Sequence, residues 1–151
     1  MRAISVRQPW ASLIAVGLKT IEVRSRPWRY RGPLVICATA GAVTVEGQDG
    51  HPLDLPYSVA VGVVEMIGCR LLTLDDAGAS MIDDLAPHVG KWAWLIANAR
   101  EVAPVRVKGQ LAPWEWDGPT LVPCSDHIDA WHAAISARQP LPLICAPQSR
   151  R

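Results

Sequence analysis

Phenylalanine is absent from this sequence of 151 residues, and tyrosine occurs only twice, whereas tryptophan occurs seven times. Indole rings must therefore supply much of the aromatic packing in the core. The sequence also lacks a cleavable signal pattern and any apolar run long enough to cross a bilayer. We therefore expect a soluble, cytoplasmic protein.

Several catalytic and metal-binding motifs are missing as well. The sequence contains no phosphate-binding P-loop and no G-x-S-x-G nucleophile motif. Its four cysteines form no C-x-x-C pair. Cys124, His127 and His132 resemble a metal site only superficially, because histidines five positions apart on a predicted helix point in different directions. No second ligand cluster completes four-coordination, so we expect no metal and no cofactor.

The charges are unevenly distributed along the chain. The formal net charge is only +1, which by itself predicts no polyanionic partner. Residues 1–45, however, carry seven cations and a single anion, Glu22, for a net charge of +6, while the remaining residues have a net charge of −5. This asymmetry makes a local positive field possible on a nearly neutral protein.

The pattern of apolar residues predicts a mainly β protein. An early helix begins at Pro9 and ends at Gly17, and Gly62 and Gly68 mark bends or bulges in a long strand. The other predicted elements are strands at 3–7, 19–24, 34–39, 58–72, 92–97 and 102–107, and helices at 74–85 and 126–138. We therefore expect an α+β fold that is mainly β, a small and strongly bent β-barrel with flanking helices.

Three segments near the amino terminus carry unusual residues at fixed offsets: ISVRQPWA at 4–11, GLKTIEVR at 17–24 and WRYRGPL at 28–34. Together they resemble the ASCH domain (activating signal cointegrator homology), a family of the PUA-like superfamily. The resemblance is dense through about residue 39 and looser in the later strands. It implies a single ASCH/PUA-like domain over 1–145, followed by a short basic tail at 146–151.

The resemblance also implies a place for a ligand. It implies a PUA-like β-barrel with a cleft between the early helix and the barrel wall, lined by the Gly-x-Lys-x-x-Glu-x-Arg stretch. Members of the family are generally regarded as binding RNA or other nucleic acid. A few small members are enzymes that act on modified nucleosides or on RNA.

Three polar side chains in the 17–24 segment differ in chemistry. Lys19 offers a point cation, Glu22 a hydrogen-bond acceptor and Arg24 a planar fork of donors. The fork suits a phosphate or a base edge, and the carboxylate suits an exocyclic amine of a base. The alternative is a Glu22–Arg24 or Lys19–Glu22 ion pair that fastens the early helix to the barrel. In the light of the resemblance, we favour contact with a ligand.

Aromatic and cationic residues interleave directly after that strand, at Arg26, Trp28, Arg29, Tyr30 and Arg31. Interleaving of this kind is typical of RNA sites, where bases stack on aromatic or guanidinium planes and cations contact phosphates. Alternatively, Trp28 and Tyr30 fill the end of the barrel and the arginines are solvated. Trp10 has two interpretations, as a core anchor of the early helix or as a wall of the cleft.

Four further tryptophans form two x-Trp-x-Trp pairs, at Trp92, Trp94, Trp114 and Trp116. That spacing places both indoles of a pair on one face of a strand. We interpret the pairs as core, with an exposed stacking platform as the alternative. Lys108, at a predicted strand end, would extend a basic rim.

We therefore predict a module that binds single-stranded RNA, another single-stranded nucleic acid or a modified nucleotide in the cationic cleft. Its candidate ligand-binding residues are Trp10, Lys19, Thr20, Glu22, Arg24, Trp28, Arg29, Tyr30 and Arg31. An alternative is metal-free catalysis in the same cleft, as an N4-acetylcytidine-type amidohydrolase or a ribonuclease, with Lys19 and Glu22 as acid and base on a bound water. A second alternative is a protein-binding adaptor. RNA, DNA and a free nucleoside all remain open as ligands.

Overall fold

A computed structural model of the chain describes residues 1–41, 43–45 and 52–124. Its strands and helices, in chain order, are β1 (Arg2–Val6), α1 (Trp10–Ala15), β2 (Ile21–Arg24), β3 (Gly32–Ala38), β4 (Val59–Leu71), α2 (Ala77–Ser80), β5 (Trp92–Arg106) and β6 (Trp114–Glu115). The prediction of an α+β fold that is mainly β is confirmed. The helix predicted at 126–138, the tail at 146–151 and the predicted domain end lie outside the described residues.

The six strands form one sheet in the order β2-β5-β4-β3-β1-β6. Strand β1 runs parallel to β3, and every other neighbouring pair is antiparallel. Within the described part of the chain β2 and β6 are the two edges of the sheet, so the prediction of a β-barrel is wrong in that the backbone hydrogen bonds do not close into a ring. The sheet is nevertheless strongly curled, as one contact shows. Arg24 on β2 reaches Ser5 on β1, four strands away in the sheet order.

Bulges in β4 and β5 produce this curl. The pairing of β4 with β5 shifts register three times, and two of the shifts fall at Gly62 and Gly68, as predicted. The two strands expected at 92–97 and 102–107 are wrong as separate elements, because β5 runs through both. Asn98 adopts a φ of 51° and so absorbs the expected turn as an irregularity within one strand.

Helix α1 lies against the inner face of the curled sheet. Its buried residues are Ala11, Ser12, Leu13, Ile14 and Ala15. Gly17, with a φ of 82°, follows its carboxyl end, as the sequence predicts. A Cβ atom built on Gly62 would lie 2.7 Å from the Ala15 Cβ, so the glycine lets α1 approach β4 closely. Within the described ranges, no helix has the length and apolarity that crossing a bilayer requires.

Both faces of the central strands are covered. On β3, Leu34 and Ile36 belong to the main core with α1, while Val35 and Cys37 belong to a second cluster on the opposite face. This agrees with the apolar run that the sequence shows there. Burial in the second cluster raises the pKa of Cys37 to about 12, so this thiol stays protonated at neutral pH.

The helix predicted at 74–85 is shorter than expected. It consists of a 3-10 turn over Leu74–Asp76 followed by the single turn of α2, and Met81 ends it with a φ of 55°. Its amino end is fixed by Asp76, whose Oδ2 accepts hydrogen bonds from the backbone N–H and the hydroxyl of Thr73. Arg70 holds the same carboxylate through two bonds of 2.7 and 2.6 Å.

Candidate functional site

Lys19 lies just before β2, and its side chain is only 1% exposed. Its Nζ donates hydrogen bonds of 2.7 Å to the Ile21 carbonyl and 2.6 Å to the Ser80 carbonyl, and it lies 3.5 Å from the Glu22 Oε2. Burial lowers the pKa of Lys19, and the neighbouring Glu22 carboxylate opposes that lowering. The ammonium therefore ties β2 to the end of α2. It does not reach the surface, so contact with a ligand phosphate would require it to leave these partners.

Glu22 lies between two cations. Its Oε2 faces the Lys19 Nζ, and its Oε1 lies 3.1 Å from the Arg24 Nε. The register of β2 with β5 places Glu22 opposite Trp94 and Arg24 opposite Trp92, so both charged side chains are on the inner face of the sheet with the tryptophans. Here the two ion pairs foreseen as the alternative to ligand contact are both present.

Arg24 lies at the opening of the curled sheet, the place where the edge strand β2 and the β1 edge at Ser5 face each other without backbone pairing. Its Nη2 donates a hydrogen bond of 2.8 Å to the Ser5 carbonyl, and its Cζ lies 5.6 Å from the centre of the Trp94 ring. Strand β6 pairs only with Arg2 and Ala3 of β1, so the edge of β1 at Ser5 is not paired with β6. The Arg24 side chain is 28% exposed, the largest exposure among the three charged residues of this cluster.

Three aromatic rings lie in a row beside the guanidinium. The centre of the Trp28 ring lies 4.9 Å from that of Tyr30, in a stacked arrangement, and 4.8 Å from that of Trp94. The Trp94 indole N–H donates to the Arg26 carbonyl at 3.0 Å, and the Tyr30 hydroxyl donates to the Pro33 carbonyl at 2.6 Å. Trp28 and Tyr30 pack against the core, as the structural interpretation of the two rings predicts, and both remain half-buried.

Three exposed arginines lie next to these aromatic residues in the chain. Arg26 and Arg29 follow β2 on the surface, and neither forms an ion pair with a described residue. Arg31 differs, because its Nη1 donates to the Tyr30 carbonyl at 2.7 Å and to the Trp28 carbonyl at 3.3 Å. Arg31 therefore stabilises the turn that presents the aromatic residues.

The remaining predicted residues lie around the same region. Trp10 begins α1, packs against the main core and donates its indole N–H to the Met81 carbonyl at 3.5 Å. Thr20 is exposed, and its backbone N–H donates to the Ala79 carbonyl. The Trp pairs lie largely in the core: Trp94 and Trp114 are buried, and Trp92 and Trp116 pack against the clusters.

The sequence did not single out Ser5 or Ser80, whose carbonyl oxygens bind Arg24 and Lys19. Both contacts use backbone atoms, so the identity of the residue carries little signal. For Ser5 the one available indication was its position within the 4–11 segment. Among the described residues, no three histidine, cysteine or acidic side chains are grouped as a metal site would need. His127 and His132 lie outside those residues.

The curled, mainly β sheet with α1 packed inside it defines a PUA-like domain. A family model described as the ASCH domain matches residues 4–106. The chain therefore belongs to the ASCH domain family.

The named relatives are much longer proteins. The chain is 36% identical over 80 residues to "Activating signal cointegrator 1" of Homo sapiens, covering 44% of this chain and 14% of that protein. It is 28% identical over 129 residues to the protein of the same name from Mus musculus, covering 76% of this chain and 22% of that protein. The chain thus spans less than a quarter of the length of either relative.

Solved structures share the fold. The crystal structure of ASCH from Zymomonas mobilis matches with a TM-score of 0.57 at 15% identity and covers 77% of this chain and 87% of that chain. A point mutant of that protein matches with a TM-score of 0.53 at 13% identity and covers 89% and 96%. At these identities the likeness concerns the fold alone.

Proposed function

We propose that this domain binds single-stranded nucleic acid, with RNA as the first ligand to test, at the opening between β1 and β2. The observation that carries the proposal is the position of Arg24, which lies at this opening between a carboxylate, a carbonyl oxygen and the Trp94 ring. A cation and a stack of aromatic rings are the two groups that single-stranded nucleic acids require of a protein surface.

Each group has a distinct task in this proposal. Arg26 and Arg29, which are exposed and without ion pairs to described residues, contact phosphates. Tyr30, backed by Trp28, offers the ring surface on which a base stacks, and such a stack is worth about 1–3 kcal/mol. Arg24 meets the edge of that base or the adjoining phosphate with the part of its fork that faces solvent.

Lys19 and Glu22 support Arg24 in this proposal and have little direct contact with the ligand. Lys19 has no exposed surface to offer, and the Glu22 side chain is 11% exposed with one oxygen directed to each cation. Each carboxylate oxygen retains a further lone pair. Glu22 can therefore accept a hydrogen bond from an exocyclic amine only if the base enters the opening itself.

The contacts favour binding over the catalytic alternative. An amidohydrolase or ribonuclease mechanism would need Lys19 and Glu22 to meet a substrate and a water, whereas the Lys19 ammonium donates to two carbonyl groups. The adaptor alternative needs exposed tryptophan pairs, and Trp94 and Trp114 are buried. Incubation with N4-acetylcytidine tests the catalytic alternative directly, because release of cytidine by the wild type but not by Lys19→Ala would establish it.

Binding is tested by fluorescence anisotropy with a labelled twelve-nucleotide RNA of mixed sequence, its DNA equivalent and the RNA duplex. We expect the single-stranded RNA to bind with an affinity that falls steeply with NaCl, because phosphate contacts release counterions. The double variant Arg26→Ala/Arg29→Ala should weaken binding about tenfold and lower the salt slope by about 1.4.

Arg100→Ala is the matched control, because Arg100 is also exposed but lies eight residues along β5 from Trp92, the partner of Arg24. It should leave affinity and slope unchanged. The proposal is wrong if none of the three nucleic acids binds, or if the Arg26→Ala/Arg29→Ala variant binds as the wild type does.

A further inference from the structure

A groove with a volume of about 480 Å³ lies where β5 ends and β6 begins, next to Ser5 on β1. The side chains that give it its chemistry are Arg106, Lys108, Gln110, Trp114, Trp116 and Asp117. Arg106 and Lys108 are exposed, and neither forms an ion pair with a described residue. The groove thus combines two cations and two indole rings with a single carboxylate, and nothing in the site described above uses it.

The indole rings of this groove are held in fixed orientations. Trp114 is buried in the second core cluster, on a strand that pairs with Ala3 of β1. Trp116 packs half-buried against the same cluster, and its indole N–H donates to the Pro119 carbonyl at 3.2 Å. A Cβ atom on Gly118 would collide with the Trp116 ring. A ring fixed in this way loses little conformational freedom when a base stacks on it.

The groove adjoins the proposed binding site. The carbonyl of Ser5 accepts the hydrogen bond from Arg24, and the hydroxyl of the same residue accepts one from the Gln110 backbone N–H at 3.1 Å. Gly109 also lies against this hydroxyl, since a Cβ atom on it would be 2.7 Å from the Ser5 Oγ. A single residue therefore separates the opening from the groove.

We infer that the groove is a second subsite for the same single-stranded nucleic acid, with Arg106 and Lys108 on phosphates and Trp116 under a base. The inference rests on the proposed function, because it extends one ligand from the opening across Ser5. A nucleic acid fits better than an acidic peptide, since the groove pairs its cations with a fixed aromatic surface. A ligand that occupies both subsites must be longer than one that fills the opening alone.

The test compares labelled single-stranded RNAs of four and twelve nucleotides. The double variant Arg106→Ala/Lys108→Ala should weaken binding of the twelve-nucleotide RNA about tenfold and lower its salt slope by about 1.4. Its effect on the four-nucleotide RNA should be less than about twofold, because we expect a ligand of that length to occupy the opening alone. Trp116→Leu should weaken binding of the longer RNA about fivefold or more.

Exposed Arg100 again supplies the control, as Arg100→Ala, and the Arg26→Ala/Arg29→Ala variant separates the two ideas. If that variant weakens binding while Arg106→Ala/Lys108→Ala leaves the longer RNA unaffected, the second subsite is overturned and the proposed function stands. If only the groove variants weaken binding, the opening is the wrong site and the groove is supported. If the wild type binds neither RNA, both are overturned. The alanine variants keep the test valid should Trp116→Leu prove unfolded by circular dichroism.

Discussion

The guanidinium of Arg24 joins β2 to β1 through a hydrogen bond of 2.8 Å to the Ser5 carbonyl. The same side chain faces Glu22 at 3.1 Å, and Glu22 in turn faces Lys19. Arg24 is therefore the end of a chain of three charged groups on the β2 side of the opening, and it is the member of that chain that reaches β1. Removing any member of such a chain leaves its neighbour without its partner charge.

Arg24→Met and Glu22→Gln should each destabilise the fold by about 1–3 kcal/mol, because each removes a charged partner from a largely buried group. The double variant should be less destabilised than the sum of the two, since the residues are in direct contact. Urea unfolding of all four proteins measures this coupling. Arg29→Ala, which removes an equally charged but exposed side chain, is the control and should change stability by less than about 0.5 kcal/mol. Additive effects would contradict the contact.

Lys19 should make stability depend on pH in the alkaline range. Burial lowers the pKa of Lys19 in the folded state, so between that pKa and its ordinary value of 10.5 the unfolded chain binds more protons. Stability from this group therefore rises as pH increases through that window. Urea unfolding at pH 7 to 10 should show the free energy of unfolding of the wild type rising relative to that of Lys19→Met. Parallel curves for the two proteins would show that the ammonium is not destabilised by its surroundings.

The pair of Arg70 and Asp76 should matter at acid pH. Hydrogen bonds from Arg70 hold the pKa of Asp76 well below its usual range, so the stabilisation is present above about pH 4 and is lost as pH falls below that value. Asp76→Asn should cost about 1–3 kcal/mol at pH 7, and the difference from the wild type should shrink toward pH 2. Asp75→Asn changes an exposed neighbour and should behave as the wild type at both pH values.

Gly62 should not tolerate a side chain. A Cβ atom there would lie 2.7 Å from the Ala15 Cβ and 2.9 Å from the Ala15 Cα, so Gly62→Ala must push α1 away from β4 at a cost of about 1–3 kcal/mol. Gly78, in α2, has no atom within 4 Å of the corresponding position. Gly78→Ala should therefore be neutral or stabilise the fold by up to about 1 kcal/mol. Thermal unfolding distinguishes the two, and similar losses in both would refute the close approach of α1.

The parts of the fold that the sequence predicts are those with local causes. The end of α1 before Gly17 follows from the positive φ that glycine adopts readily, and the bulges at Gly62 and Gly68 fall where the lack of a side chain leaves room for Ala15 and Leu95. The continuous strand β5 was not foreseen, because Asn98 takes a left-handed conformation that sequence reasoning assigns to a turn.

The arrangement of the candidate site depends on contacts between distant parts of the chain. Lys19 is buried because Ser80, 61 residues later, supplies a carbonyl oxygen to it. Arg24 bonds to a residue 19 positions earlier, and only the curl of the whole sheet brings the two together. A pattern of residue types can indicate that polar groups share a region. It cannot show which of those groups the folded structure will bury.

The edge of β1 at Ser5, which β6 does not cover, is a place where the curled sheet could change its width. Neighbouring strands of the sheet are joined by ladders of backbone hydrogen bonds. Between β1 and β2, by contrast, the hydrogen bond seen among the described residues comes from the Arg24 side chain. If a ligand competes for the Arg24 guanidinium, β1 and β2 lose this contact while the pairing of each with its neighbouring strand stays intact. Under the proposed function, ligands of different size would then be accommodated by movement at this one contact, without a change in the backbone pairing of the sheet.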